Sequence, residues 1–107
     1  MNKPKAKGTA FERRLVDYLN THGFELAERR ALSGTNDRGD IAGTPGIVWE
    51  AKSHKALALA EWVDEMVTEK RNARATIGVV VHPRRNHSMD RAYVVMELSQ
   101  FVEMIRD

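Results

Sequence analysis

The stretch from Asp40 to Lys52 carries two carboxylates and an ammonium that could act on one substrate together. Glu50 and Lys52 lie two residues apart in the apolar, strand-like run 47–53, and such side chains point to the same face of a strand. Burying a charge is costly unless the charge is paired or bound to a metal. The triplet Glu50-Ala51-Lys52 therefore indicates a site rather than ordinary core.

Asp40 joins this site if the chain forms a hairpin across the turn residues Thr44-Pro45-Gly46. The register that pairs Gly43 with Ile47 leaves a three-residue loop and sets Asp40 opposite Glu50. A slip of one residue would turn Asp40 to the Trp49 side instead.

Two carboxylates beside a lysine are typical of divalent-metal and phosphodiester chemistry. Mg²⁺ takes a few carboxylate oxygens and keeps most of its waters, and it can activate water and neutralise a pentavalent transition state. We expect Asp40 and Glu50 to bind the principal metal, with the Ala51 carbonyl as a further ligand and Mn²⁺ as a substitute. Lys52 would orient or help deprotonate the attacking water, or stabilise the developing charge.

The first helix supplies a third candidate carboxylate. Thr9 is a predicted N-cap with Glu12 at the capping-box position, apolar residues then recur at helical spacing, and Gly23 ends the helix. Glu12 lies at the margin of the apolar face. It is either a capping residue alone or, if this helix packs against the sheet, a further metal ligand.

The remaining pattern predicts an α/β domain. We expect strands over 24–31, 40–42, 47–53, 76–81 and 92–96, with the fourth of these central because it is almost continuously apolar. The helix over 57–73 has an apolar stripe that includes Trp62 and Met66, and we place its acidic residues away from that stripe: Glu61, Asp64, Glu65 and Glu69. A final helix over 98–106 should turn Phe101, Val102 and Ile105 inward. The prediction is a mixed central sheet flanked by helices in the order α-β-β-β-α-β-β-α, with a flexible basic arm at 1–7 and a single domain at 8–107.

Composition excludes several classes of function. The 107 residues are 42% apolar and 30% charged, as in ordinary globular proteins. Cysteine is absent, which rules out disulfides, thiolate nucleophiles and cysteine-ligated zinc. The four histidines lack metal-ligand spacing, no phosphate-binding GK[ST] motif occurs, and no apolar run is long enough to span a membrane. We expect a cytoplasmic protein.

Basic residues are spread along the chain, while four of the acidic ones gather in the 57–73 helix. This distribution fits a polyanion-binding surface, although charge alone is equally compatible with a mixed solvated surface. The candidate phosphate contacts are Lys5, Lys7, Arg13, Arg14, Arg29, Arg30, Arg38, Lys55, Arg84 and Arg85.

Several segments together resemble a known family. They are Gly8-Thr9-Ala10-Phe11-Glu12-Arg13-Arg14-Leu15-Val16, Gly23-Phe24, Arg30-Ala31-Leu32-Ser33-Gly34, Asp40-Ile41-Ala42 and Trp49-Glu50-Ala51-Lys52. Over residues 8–55 the chain resembles the PD-(D/E)xK nuclease superfamily, and within it the archaeal-type Holliday junction resolvases. Gly39 stands where that family usually has proline.

The resemblance implies a restriction-endonuclease-like fold and particular residue roles. Glu12, Asp40, Glu50 and Lys52 would be catalytic, Ser33 an active-site loop residue, and Arg13 and Arg30 phosphate contacts. The implied activity is metal-dependent, structure-selective cleavage of DNA. A four-way junction has near two-fold symmetry and needs two cuts, so a homodimer would supply both sites.

Other functions remain open. A related repair or restriction-type nuclease would differ only in acting on flaps, forks or duplex DNA. A non-catalytic DNA-binding subunit could use the same fold, and Glu50-Lys52 could be no more than a structural ion pair.

Overall fold

The structure, a computed structural model, describes residues 3–31 and 37–107, and the Cα radius of gyration is 13.5 Å. The described part is a small, compact α/β protein with a mixed sheet and three helices. In chain order its elements are α1 (Lys3–Asn20), β1 (Glu28–Arg29), β2 (Ile41–Ala42), β3 (Ile47–Ala51), α2 (Leu59–Ala73), β4 (Ile77–His82), a 3₁₀ turn (Met89–Arg91), β5 (Tyr93–Val95) and α3 (Leu98–Ile105). Among these residues, no helix combines the length and apolar composition that a membrane span requires.

Strand β4 is the centre of a three-stranded mixed sheet, as its apolar run predicted. It pairs in parallel with β3, from Ile47 opposite Ile77 onward, and antiparallel with β5. Its residues 78–81 are all buried because apolar layers cover both faces of the strand. The short strands β1 and β2 form a separate antiparallel pair.

The two faces of the sheet pack against different helices. Phe11, Leu15 and Leu19 of α1 share a core with Val79 and Val81. On the other face, α2 contributes an apolar core of its own, made of Trp62 and Met66 with Val48 and Val80. Strand β3 therefore turns alternate residues to α1 and to α2, and its Val48 and Glu50 are both buried on the α2 side, as their spacing predicted.

The predicted hairpin ladder between the Asp40 segment and β3 is wrong. Strand β2 pairs with β1 and not with β3 in the described residues. The Asp40 N–H does donate to the Trp49 carbonyl of β3 at 2.8 Å, but the Asp40 carbonyl accepts from the Arg30 N–H, which follows β1, at 2.8 Å. Gly43 has a φ of +88°, and a Cβ there would lie 1.9 Å from the Leu26 carbonyl oxygen. Glycine at position 43 therefore permits the close approach of this segment to residues 26–27, next to the β1 strand with which residues 41–42 pair.

Helix α1 begins at Lys3, earlier than the sequence pattern predicts, and therefore includes residues 3–7 of the predicted arm. Pro4 is compatible with this start because proline is tolerated in the first turn of a helix. Thr9 lies inside the helix and is not its N-cap. Glu12 accordingly has no capping role and is free to bond elsewhere.

Helix α3 packs through a polar residue rather than through its apolar stripe, which corrects the prediction for this helix. Gln100 is buried, whereas Phe101, Val102 and Ile105 are exposed by 46%, 43% and 63%. The Gln100 amide accepts a hydrogen bond from the Gly78 N–H at 2.8 Å and donates one to the Gly78 carbonyl at 2.9 Å. Because β5 pairs only with residues 80–82, this amide takes the place of a neighbouring strand beside Gly78.

Candidate functional site

Asp40 and Glu50 meet at the edge of strand β3, although not through the predicted ladder. The Ala51 N–H donates a hydrogen bond to Asp40 Oδ2 at 2.8 Å, and this bond holds the Asp40 carboxyl group beside β3. The Asp40 and Glu50 carboxyl groups interact directly there. Glu50 is only 3% exposed. The two carboxyl groups thus share a largely desolvated position at the sheet edge.

Lys52 is the third member of this group, and its amine is protonated and therefore positively charged. Its Nζ lies 3.2 Å from Glu50 Oε2 and 3.0 Å from Glu65 Oε1. Burial by itself would lower the pKa of Lys52, but the bonds to Glu65 and Glu50 outweigh burial and raise that pKa. Of the three roles predicted for Lys52, orienting a water and stabilising negative charge fit an ammonium, whereas accepting a proton does not.

Helix α2 adds two carboxyl groups that sequence reasoning did not place in the site. Glu69 is 1% exposed, so the expectation that it points away from the core is wrong, whereas Glu65 is exposed and reaches the site through its contact with Lys52. Glu69 follows Trp62 by seven residues and Met66 by three, which is the spacing of the buried helix face. This helical spacing is the feature of the sequence that predicts burial of Glu69.

Asp37 brings a further carboxyl group from the loop before β2. One oxygen each from Asp37, Glu65 and Glu69 lies within 4.8 Å of the others. The Asp37 Oδ1 accepts a hydrogen bond from the Gly39 N–H at 2.9 Å, and the Asp37 carbonyl accepts one from Asn72 Nδ2 of α2 at 2.8 Å. The first bond orders the loop itself, and the second fastens the loop to α2. No motif singled Asp37 out beforehand.

Burial and mutual repulsion perturb the acids of this cluster. Burial, reinforced by the negative charge of Asp40, raises the pKa of Glu50 to about 11, and burial raises the pKa of Glu69 to about 8. The pKa of Asp40 is also raised, mainly by burial.

Glu65 behaves differently because of its bonds. Burial opposes ionisation, but hydrogen bonds with Glu50 and Lys52 lower the pKa of Glu65. Without a bound cation, the cluster therefore holds protons on some acids while Glu65 stays ionised beside Lys52. A divalent cation would replace those protons, and the carboxyl groups available to it are Asp37, Asp40, Glu50, Glu65 and Glu69.

Glu12 lies on α1, which packs on the opposite face of the sheet from Glu50. Its Oε1 accepts a hydrogen bond from Arg29 Nε at 3.0 Å, and its negative charge adds to the burial that raises the pKa of Asp40. Glu12 is thus within electrostatic range of Asp40 but is bonded to Arg29. The Ala51 N–H binds Asp40, and the predicted role of the Ala51 carbonyl stays a prediction. Ser33 lies outside the described residues.

The predicted phosphate contacts divide into groups. Lys55 and Arg85 line both of two adjoining grooves of about 520 and 350 Å³, which also share His82 and Pro83. Arg84 lines only the larger groove, whose other lining residues are apolar or aromatic: Leu57, Leu59, Tyr93 and Val95. We call these grooves, taken together, the basic groove. The His82 Nδ1 bonds the Lys52 carbonyl at 2.8 Å, so the basic groove begins where the acidic cluster ends.

The other basic candidates lie elsewhere. Arg30 and Arg38 line a smaller cavity of about 180 Å³ beside the 43–47 turn, and the buried Arg30 Nε has no hydrogen-bond partner among the described residues. Arg29 is paired with Glu12. Arg13 and Arg14 are exposed on α1, which also contains Lys5 and Lys7.

Comparison of the chain with protein-family models, with curated proteins and with solved structures found no match. What the site can do follows from its own residues. Buried carboxyl groups, an ammonium fixed beside them and a basic groove that starts at the same strand end are suited to binding a hard cation next to a polyanion.

Proposed function

We propose that this chain is a Mg²⁺-dependent, structure-selective DNA endonuclease with a restriction-endonuclease-like fold, which cuts four-way junctions by paired nicks as a homodimer. The observation that carries the proposal is the meeting of Asp40, Glu50 and Lys52 at one edge of the sheet. This is the arrangement that the resemblance to PD-(D/E)xK nucleases implies. A surplus of buried carboxyl groups around one ammonium also favours a metal-dependent reaction.

The side chains divide the chemical work. Asp40 and Glu50 would hold the metal, which supplies an activated water and a positive charge for the transition state. Lys52, kept protonated by Glu65 and Glu50, would hold a phosphate oxygen and neutralise charge that develops on it. Hydrogen bonding of the Ala51 N–H to Asp40 fixes that carboxyl group before the metal arrives.

The basic groove supports DNA as the substrate. Lys55 follows the carboxyl end of β3, as Lys52 does, and Arg84 and Arg85 follow the carboxyl end of β4, where His82 bonds the Lys52 carbonyl. Contacts from these basic side chains recognise phosphates and not bases, so binding should depend on salt and on the shape of the DNA rather than on its sequence.

The exposed stripe of α3 supports the homodimer. Phe101, Val102 and Ile105, with Leu98, form one face of that helix at i, i+3, i+4 and i+7 spacing, and all four are exposed. An apolar face of this kind is typical of a subunit interface. A two-fold pair of chains would present two active sites to a junction of the same symmetry.

The test is a cleavage assay on labelled four-way junction, fork, flap and linear duplex, each with Mg²⁺, Mn²⁺ or EDTA. The wild type should cut the junction by symmetric paired nicks in Mg²⁺ or Mn²⁺ and should cut nothing in EDTA. Asp40→Asn and Glu50→Gln should abolish cleavage and leave DNA binding largely intact, while Glu61→Gln, an exposed acid on α2, should cleave like the wild type.

The outcomes separate the alternatives. Cleavage of forks, flaps or duplex in preference to the junction would identify a repair or restriction-type nuclease with the same site. DNA binding without metal-dependent cleavage of any substrate would favour a non-catalytic subunit. Cleavage that persists in purified Asp40→Asn or Glu50→Gln protein would refute the assignment of these residues.

A further inference from the structure

Glu69 is the most unusual side chain that the proposed mechanism does not use. It is 1% exposed, and both of its carboxyl oxygens are buried without a hydrogen-bond partner among the described residues. Buried polar groups in proteins are almost always hydrogen-bonded, and an exception calls for a physical reason such as an ion. The core position that Glu69 occupies could have held an apolar residue at lower cost.

The surroundings of Glu69 have the chemistry of a cation site. Glu69 lies in a cluster with Asp37 and Glu65, in which one oxygen of each acid is within 4.8 Å of the others, and it also interacts with Glu50. A site whose ligands are all carboxyl oxygens suits hard cations such as Mg²⁺, Mn²⁺ and Ca²⁺. Ligands at about 2.0–2.6 Å on opposite sides of such an ion lie about 4–5 Å apart, which matches this spacing.

Asp37 and Glu65 are each held in position by contacts with residues outside the three acids. Glu65 and Glu69 are four residues apart, so they lie on the same side of α2. Asp37 is fastened to α2 by Asn72 and to its own loop by the Gly39 N–H. Glu65 is fixed by Lys52. The orphaned carboxyl group of Glu69 thus points into a preformed set of oxygen ligands from a loop and a helix.

We infer that Asp37, Glu65 and Glu69 bind a divalent hard cation of the Mg²⁺ class, at a position next to that of Asp40 and Glu50. This cation is additional to the one in the proposed function. Its binding requires neither DNA nor cleavage. Lys52 lies between the two positions, because it bonds Glu50 of one and Glu65 of the other. If the chain is a nuclease, the catalytic ammonium therefore adjoins both cations.

The test counts bound Mn²⁺ directly, by measuring the electron paramagnetic resonance signal of free Mn²⁺ during titration of the DNA-free protein. Glu69→Gln and Asp37→Asn should each bind one Mn²⁺ fewer per chain than the wild type. Asparagine at position 37 can still accept the Gly39 N–H bond, and Asp37 is exposed, so this variant is a test that does not disturb the core. Glu61→Gln on the same helix should bind as many Mn²⁺ ions as the wild type.

An unchanged Mn²⁺ count and affinity in folded Asp37→Asn and Glu69→Gln would overturn the inference. Its failure is distinguishable from that of the proposed function. If the count falls in both variants but the wild type cuts no DNA, the cation site stands and the nuclease proposal fails. If the junction is cut but neither variant alters the count, the nuclease stands and this cation site does not.

Discussion

Removal of the charge at Glu69 should stabilise the metal-free protein in alkaline solution and should have little effect in acid. Burial raises the pKa of Glu69 from 4.5 to about 8, with Asp37 adding to the rise. A carboxyl group with a higher pKa in the folded state contributes stability that is fully present below pH 4.5 and is lost as the pH rises through about 8. Glutamine has the shape of the protonated acid and does not ionise, so Glu69→Gln should remove this loss.

The size of the effect follows from the two pKa values. Each pKa unit corresponds to about 1.4 kcal/mol, which sets an upper bound of about 4 kcal/mol on the change in unfolding free energy between pH 5 and pH 8. Water reaches the cluster at Glu65, whose side chain is 43% exposed. Screening there reduces the expected change to about 2 kcal/mol, or roughly 10 °C in Tm for a domain of this size.

The assay is urea and thermal unfolding in EDTA at pH 5 and pH 8, with Glu61→Gln as the matched control on α2. The wild type should lose stability from pH 5 to pH 8, and Glu69→Gln should exceed it by about 2 kcal/mol at pH 8. Added Mg²⁺ should narrow this gap because it stabilises the ionised cluster of the wild type. A wild type equally stable at both pH values, or a Glu69→Gln protein no more stable than Glu61→Gln at pH 8, would refute the reasoning.

Two further predictions concern α3. Gln100→Ala leaves the N–H and carbonyl of Gly78 without partners, at about 1–3 kcal/mol for each group, so urea unfolding should show a loss of about 2–6 kcal/mol; a loss no larger than that of the exposed control Ser99→Ala would contradict this role. Phe101→Glu should convert the proposed homodimer to monomer in sedimentation analysis and abolish paired nicking, whereas Leu26→Glu, exposed but off this helix, should change neither. A Phe101→Glu protein that remains dimeric would place the interface elsewhere.

The sheet could be predicted from local pattern because its central strand is apolar on both faces. The run that ends at His82 needs cover on two sides, and α1 and α2 provide it. The alternation of Val48 and Glu50 with Trp49 likewise predicted which residues of β3 share a face, although not which helix covers that face. Period-two alternation is a property of the strand itself, so it holds whichever strand lies alongside.

Partner choice was not predictable from the same patterns. Asp40 and Glu50 do meet, but the segment that carries Asp40 pairs with β1, where the close contact at Gly43 depends on the path of residues 26–27. Likewise, the apolar stripe of α3 predicts a buried face, yet Gln100 is the residue that packs, because Gly78 has peptide groups that β5 does not reach. Both outcomes depend on long-range contacts that the local sequence does not contain.

The error at Glu69 shows how the fold and the candidate site are coupled. Charge predicts that the acids of α2 face solvent, whereas the helical period places Glu69 with Trp62 and Met66. A charged residue at a position that the helical period buries is unfavourable for folding. Conflicts of this kind between local pattern and fold are expected at functional sites. The buried carboxyl group of Glu69 destabilises the metal-free fold when it is ionised. A bound cation would remove this destabilisation, so binding of the cation and stability of the fold are linked. On this reasoning, Glu69 on the buried face of α2 belongs to the candidate site together with Asp40 and Glu50.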